Sequence, residues 1–138
     1  MPVQFFSLEK RFYFNRKTAT AKLIEQLIHK EKKVPGNINY IFCSDAFLLK
    51  LNKKFLNHTT LTDIITFQYS LKNISGELYI SMPRVKENAK LFSVSNQEEL
   101  LRVIIHGALH LCGYKDKNLK DKQKMTRKEN YYLKHFSK

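Results

Sequence analysis

Along the chain, apolar side chains switch between two spacings, every second residue and every third or fourth, and the switches mark out alternating strands and helices. Gln4-Phe5-Phe6 begins a short strand-like segment. Ala21, Leu23, Ile24, Leu27 and Ile28 then recur with helical period, and Pro35-Gly36 is expected to stop them. Ile38, Tyr40 and Phe42 alternate as a half-buried strand does. Ser44 or Asp45 can cap the next helix, whose expected buried face is Phe47, Leu48, Leu51 and Phe55.

Residues 63–69 are β-branched and aromatic, and Glu77-Leu78-Tyr79-Ile80 follows them across a turn-rich joint, so the two runs predict a hairpin. Ser81 and Pro83 open a helix expected to run through Val85, Ala89 and Phe92. Ser95-Asn96-Gln97-Glu98 has the form of a capping box. The helix it starts carries Leu100, Leu101, Val103, Ile104, Ala108, Leu109 and Leu111 on most of its sides, which makes it central, and Gly113 ends it. A last, very basic helix is predicted from about Leu119 to Phe136, with Met125, Tyr132, Leu133 and Phe136 facing inward. Four strands and five helices in this order predict one α+β domain over residues 1–138, built on a mixed sheet.

Length agrees, since 138 residues suffice for one real core without disulfides. No apolar run is long enough to span a bilayer, and the first residues lack a secretory pattern, so a cytosolic protein without membrane contact is expected. Cys43 and Cys112 are then expected to be reduced thiols. Charge changes the picture more. The 25 Lys and Arg against 12 Asp and Glu give a formal +13, a field that attracts phosphate-rich partners, and nucleic acid leads among them.

The segment that can do chemistry is 106–116. His106 and His110, four apart, project from one helical face and can reach a common ion at roughly 2.0–2.1 Å. Bare HxxxH is more often two unrelated histidines, but Gly113 lets the chain leave the helix sharply and fold Asp116 back as an oxygen ligand. Three ligands leave a fourth position open to a water that becomes the catalytic nucleophile, as in catalytic zinc sites. The spacing HxxxHxxGxxD is that of metzincins. Gly107, however, stands where a zinc peptidase needs its glutamate base, which disfavours peptidase chemistry.

This segment resembles the signature HGxLHLxGYDH of the YbeY family, bacterial rRNA maturation factors proposed to be single-strand endoribonucleases. His106-Gly107, Leu109-His110-Leu111 and Gly113-Tyr114 match it in place. Further similarity runs through Leu51-Asn52, residues 62–67 (TDVLSF in the family), 76–81 (GDIxIS) and Glu87-Asn88-Ala89. The resemblance implies a zinc-dependent hydrolase acting on single-stranded rRNA at the 3′ end of the small-subunit (16S) molecule. It also implies the small ribosomal subunit and a ribosome-associated GTPase as partners.

Two positions depart from the pattern. Asp116 replaces the family's third histidine, which makes the site harder and less positive, so zinc is expected but manganese, nickel or iron are less excluded. Leu56 stands where the family usually has an Arg suited to gripping phosphate, leaving His58 as a candidate for a proton or phosphate contact and Lys53 and Lys54 as further RNA contacts. Residues 115–138 hold nine Lys and Arg against three acids, so Lys115 and Lys117 beside the proposed ligand join the RNA-binding candidates. Tyr114, Tyr131 and Tyr132 offer faces for stacking bases, Tyr132 equally suiting the core. The competing function is a non-catalytic ribosome assembly factor that uses the metal to fix its C-terminal loop.

Overall fold

The computed structural model describes residues 3–9, 14, 16–56 and 62–136. The elements run β1 (Val3–Ser7), α1 (Lys17–Lys30), β2 (Pro35–Cys43), α2 (Asp45–Leu56), β3 (Ile64–Ser70), β4 (Ile74–Ser81), α3 (Met82–Leu91), α4 (Asn96–Leu111) and α5 (Leu119–Phe136). The strands form one sheet in the order β1-β2-β4-β3. β1, β2 and β4 are parallel, and β3 pairs antiparallel with β4 as the predicted hairpin. This is the α+β architecture expected from the periodicities.

Alternation along the strands separates two cores. Ile38, Tyr40 and Phe42 of β2 and Leu78 and Ile80 of β4 face the main core, which α1, α4 and α5 cover with Ile24, Leu27, Ile104, Leu109 and Tyr132. Cys43 of β2 and Ile65 of β3 face the other way, where α2 covers them with Leu48. α4 lies at the centre, packed against α1, α3, α5, β3 and β4. Two polar contacts fix its height over the sheet: the Tyr40 hydroxyl donates to the Ile104 carbonyl at 2.8 Å, and Gln68 Nε2 donates to the Leu111 carbonyl at 2.8 Å. The latter satisfies a carbonyl that a helix end leaves without an intrahelical partner.

Caps fall where expected. Ser81 Oγ accepts from the Arg84 amide and Ser95 Oγ from the Glu98 amide. At α2 the cap is Ser44, whose Oγ accepts from the Phe47 amide, while Asp45 accepts from the Ser81 hydroxyl and pairs with Arg84 at 3.2 Å.

Several expectations need correction. α1 ends at Lys30, before Pro35-Gly36, because Lys32 takes a left-handed conformation (φ 63°) and the Lys33 amide closes back on the Ile28 carbonyl. Pro35 opens β2 instead, a position that needs no donated hydrogen bond. Phe47 and Phe55 are 37% and 55% exposed, since the outer core under α2 is small; their rings meet those of Tyr79 and Phe67 at its edge. Phe92 is exposed too: α3 stops one residue earlier, where Ser93 (φ 56°) turns the chain away. Met125, Tyr132 and Leu133 face inward as predicted, whereas the Phe136 side chain lies outside the described residues. Cys43 and Cys112 are free thiols, and burial pushes both up to about 12.

Candidate metal centre

His106 and His110 stand one turn apart on α4, with their rings edge to face and centroids 4.6 Å apart. The helix runs out at Leu111, and the Gly113 and Tyr114 amides turn back onto the His110 and Leu109 carbonyls. Gly113 has φ 106°, which a side chain would strain, and this bend returns the chain toward the helix face. Asp116 Oδ2 then lies 3.3 Å from Nε2 of both histidines. Donor atoms at about 2.0–2.1 Å from a tetrahedral ion stand roughly 3.3–3.4 Å from one another, so this trio has the spacing that an ion would impose. The three groups form the one potential metal-holding cluster among the described residues.

The ring of His106 is oriented from behind. Its Nδ1 lies 2.6 Å from Glu129 Oε2 on α5, so the N–H points to the carboxylate and the Nε2 lone pair faces the cluster. Glu129 is buried and is itself held by Arg102, whose guanidinium donates to Oε1 at 2.9 Å and also reaches Asn130 at 2.8 Å. Burial pulls the His106 pKa down, but the hydrogen bond and charge of Glu129, with Asp116 and Asp63 behind it, outweigh this and the net shift is upward. Burial raises Asp63 and Glu99, each within the field of Glu129.

Gly107 faces the sheet. A Cβ there would stand 2.4 Å from Leu78 Cδ2 and 2.8 Å from Ile64 Cδ1, so a side chain at this position would have to push those two side-chain ends aside. The base that a zinc peptidase needs is absent here, and the position faces the sheet rather than the cluster.

A family model described as Endoribonuclease YbeY matches residues 7–137. The chain belongs to the YbeY endoribonuclease family. A Flavobacterium psychrophilum protein named Endoribonuclease YbeY is 49% identical, over 95% of this chain and 94% of its own length. One of the same name from Flavobacterium johnsoniae is 48% identical, covering 91% of each. The solution structure of TM1509 from Thermotoga maritima superposes with a TM-score of 0.68 at 29% identity, over 96% of this chain and 87% of that one. YbeY membership and the cluster arise independently, one from comparison and one from geometry.

Of the other candidates, Lys115 and Lys117 are exposed on either side of Asp116. Lys53 and Lys54 are exposed on the last turn of α2, across the sheet from α4. His58 lies outside the described residues, as does the side chain of Leu56. Tyr132 is fully buried and belongs to the core, and Tyr131 is partly exposed. Sequence reasoning missed Glu129, although a signal existed: it is the one acid on the inward stripe of Met125, Tyr132 and Leu133 in a basic helix. It also missed Glu31, whose carboxylate accepts from the hydroxyls of Tyr114 (2.6 Å) and Tyr132 and from Lys128 (3.1 Å). No local pattern marks a contact spanning 83 residues. No described helix is long and apolar enough to cross a membrane.

Proposed function

We propose that the chain cuts single-stranded RNA internally, using a divalent ion, zinc first, held by His106, His110 and Asp116. The observation that carries this reading is the convergence of Asp116 Oδ2 on both histidine Nε2 atoms. An ion bound there supplies Lewis-acid polarisation of a phosphoryl oxygen and activates the attacking nucleophile. The protein's own part is orientation: Glu129 keeps the Nε2 of His106 unprotonated toward the ion, and the Asp116 carboxylate lowers the net charge of the centre. Zinc suits two imidazoles and a carboxylate, and the oxygen ligand leaves manganese, nickel or iron as workable substitutes.

Cations lead away from the centre. Two clefts of about 350 and 460 Å³ share Glu31 and Lys124 and run between the end of α1 and α5. Lys115, Lys124, Lys30 and Arg127 line them, with Tyr131 at one wall. They suit the sugar-phosphate backbone of an unpaired strand, and Lys117, Lys53, Lys54 and His58 remain the further candidate contacts. The place of action is the cytosol, the substrate the 3′ end of 16S rRNA, and the partners the small ribosomal subunit and its associated GTPase.

Cleavage of a single-stranded RNA by purified protein, beside its His110→Ala variant and a chelated sample, tests the reading. Cleavage lost in both is expected. Equal cleavage by all three would refute it, and ribosome maturation sustained by a folded, metal-free variant would favour the assembly factor.

A further inference from the structure

Asp116 reaches the cluster on a short span that is weakly held by itself. Among the described residues, Lys115, Asp116 and Lys117 make no backbone hydrogen bond outside the cluster's own side-chain contacts. The span is fixed at its two ends. On one side Tyr114 is anchored by its amide to the Leu109 carbonyl and by its hydroxyl to Glu31 Oε1. On the other side Asn118 caps α5, its Oδ1 accepting from the Asp121 amide, and α5 is tied through Lys128 and Tyr132 to Glu31 Oε2.

One carboxylate thus receives a donor from Tyr114, which precedes the loop, and donors from Lys128 and Tyr132 on α5, the helix that follows it. Glu31 itself is the C-cap of α1, its amide bonded to the Leu27 carbonyl, and α1 is seated in the main core through Ile24, Leu27 and Ile28. Its side chain is only 10% exposed. Three donors converging on two oxygens need the acceptor sites of an ionised carboxylate; an amide has one oxygen and would turn its NH2 toward Lys128 or a hydroxyl. α5 also carries Glu129, so the same tie sets the group that orients His106.

Resting on the metal reading above, we propose that Glu31 is a positioning residue of the metal centre, which fixes Asp116 by holding the Tyr114 and α5 ends of its loop. It touches neither the ion nor the substrate and acts through Tyr114, Lys128 and Tyr132.

The test has two readouts. Backbone order parameters of residues 115–117, measured by NMR relaxation on the metal-free full chain, are expected near about 0.8 in the wild type and below about 0.6 in Glu31→Ala and Tyr114→Phe. Cobalt affinity by chelator competition is expected to fall about 10–100-fold in both variants, as for loss of other supporting groups around a metal. Val85→Ala, in the core under α3, serves as the control: it lowers stability but leaves both readouts at wild-type values. Tyr114→Phe removes a single hydroxyl and keeps the test open should Glu31→Ala fail to fold. Loop order and cobalt affinity within twofold of wild type in the variants would overturn the proposal, as would losses of the same size in Val85→Ala. Loops loosened in Glu31→Ala and Tyr114→Phe, beside a wild type that takes up no cobalt, would sink the metal reading while leaving Glu31 as the loop's anchor.

Discussion

His106 and His110 stand on a helix buried between the sheet and three other helices, whereas Asp116 stands on a short span that makes no backbone hydrogen bond among the described residues. The histidines are aimed by helical geometry and by the height of α4 over the sheet. The aspartate is aimed by contacts from residues far away in the chain. A metal centre built this way has one rigid wall and one adjustable wall, and substitutions on each should fail differently: the first in fold or ligand count, the second in affinity.

The sharpest break of that comparison is removal of a ligand from the rigid wall. His110→Ala should weaken metal binding by more than about 100-fold, beyond the cost of losing a supporting partner. Because His110 is partly exposed, the thermal midpoint of the metal-free protein should move little. Calorimetry of the metal-free variant beside a metal titration checks both halves. Glu129→Ala comes next, with an affinity loss of about 10–100-fold and retained stoichiometry, measured by chelator competition. Full affinity in that variant would mean that α4 alone orients His106.

Gly107→Ala probes the wall itself. The added methyl must displace Leu78 and Ile64, at a cost of about 1–3 kcal/mol in denaturant unfolding. An unchanged unfolding midpoint would show that α4 can lift from the sheet. The smallest effect concerns Glu31. Burial raises its pKa, but hydrogen bonds from Tyr114, Tyr132 and Lys128 and the charge of Lys128 overcome this, and the folded-state value lies below the ordinary 4.5. The stability it contributes is therefore complete above pH 4.5 and is lost as pH falls through the lower folded value. The stability gap between wild type and Glu31→Gln, followed by urea unfolding from neutral pH downward, should be constant to about pH 5 and narrow below it. A gap that widens in acid would contradict the shift.

How far the sequence reveals this molecule follows from the same contrast. Local rules place α4, since Ser95 caps it, its apolar residues cover most sides and Gly113 releases the chain. They also bring Asp116 within reach of the histidines, because the number of residues after a glycine bend is itself local information, but they do not show what holds it there. Periodicity overstates burial where an element covers a small core, as at Phe47 and Phe55, and where a helix stops early, as at Phe92. It cannot see Glu31, which follows the periodic part of α1 and finds its partners on the far C-terminal side of the fold. Glu129 lies between these cases: an acid on an apolar stripe is visible, but the histidine it serves is not.

Metal content tests the central claim most directly. Elemental analysis of purified wild type beside Asp116→Ala and His110→Ala should find one divalent transition-metal ion per chain in the first and strongly reduced occupancy in both variants. A wild type without bound metal after saturation and desalting, or variants that retain a full complement, would show that the three side chains meet for another reason.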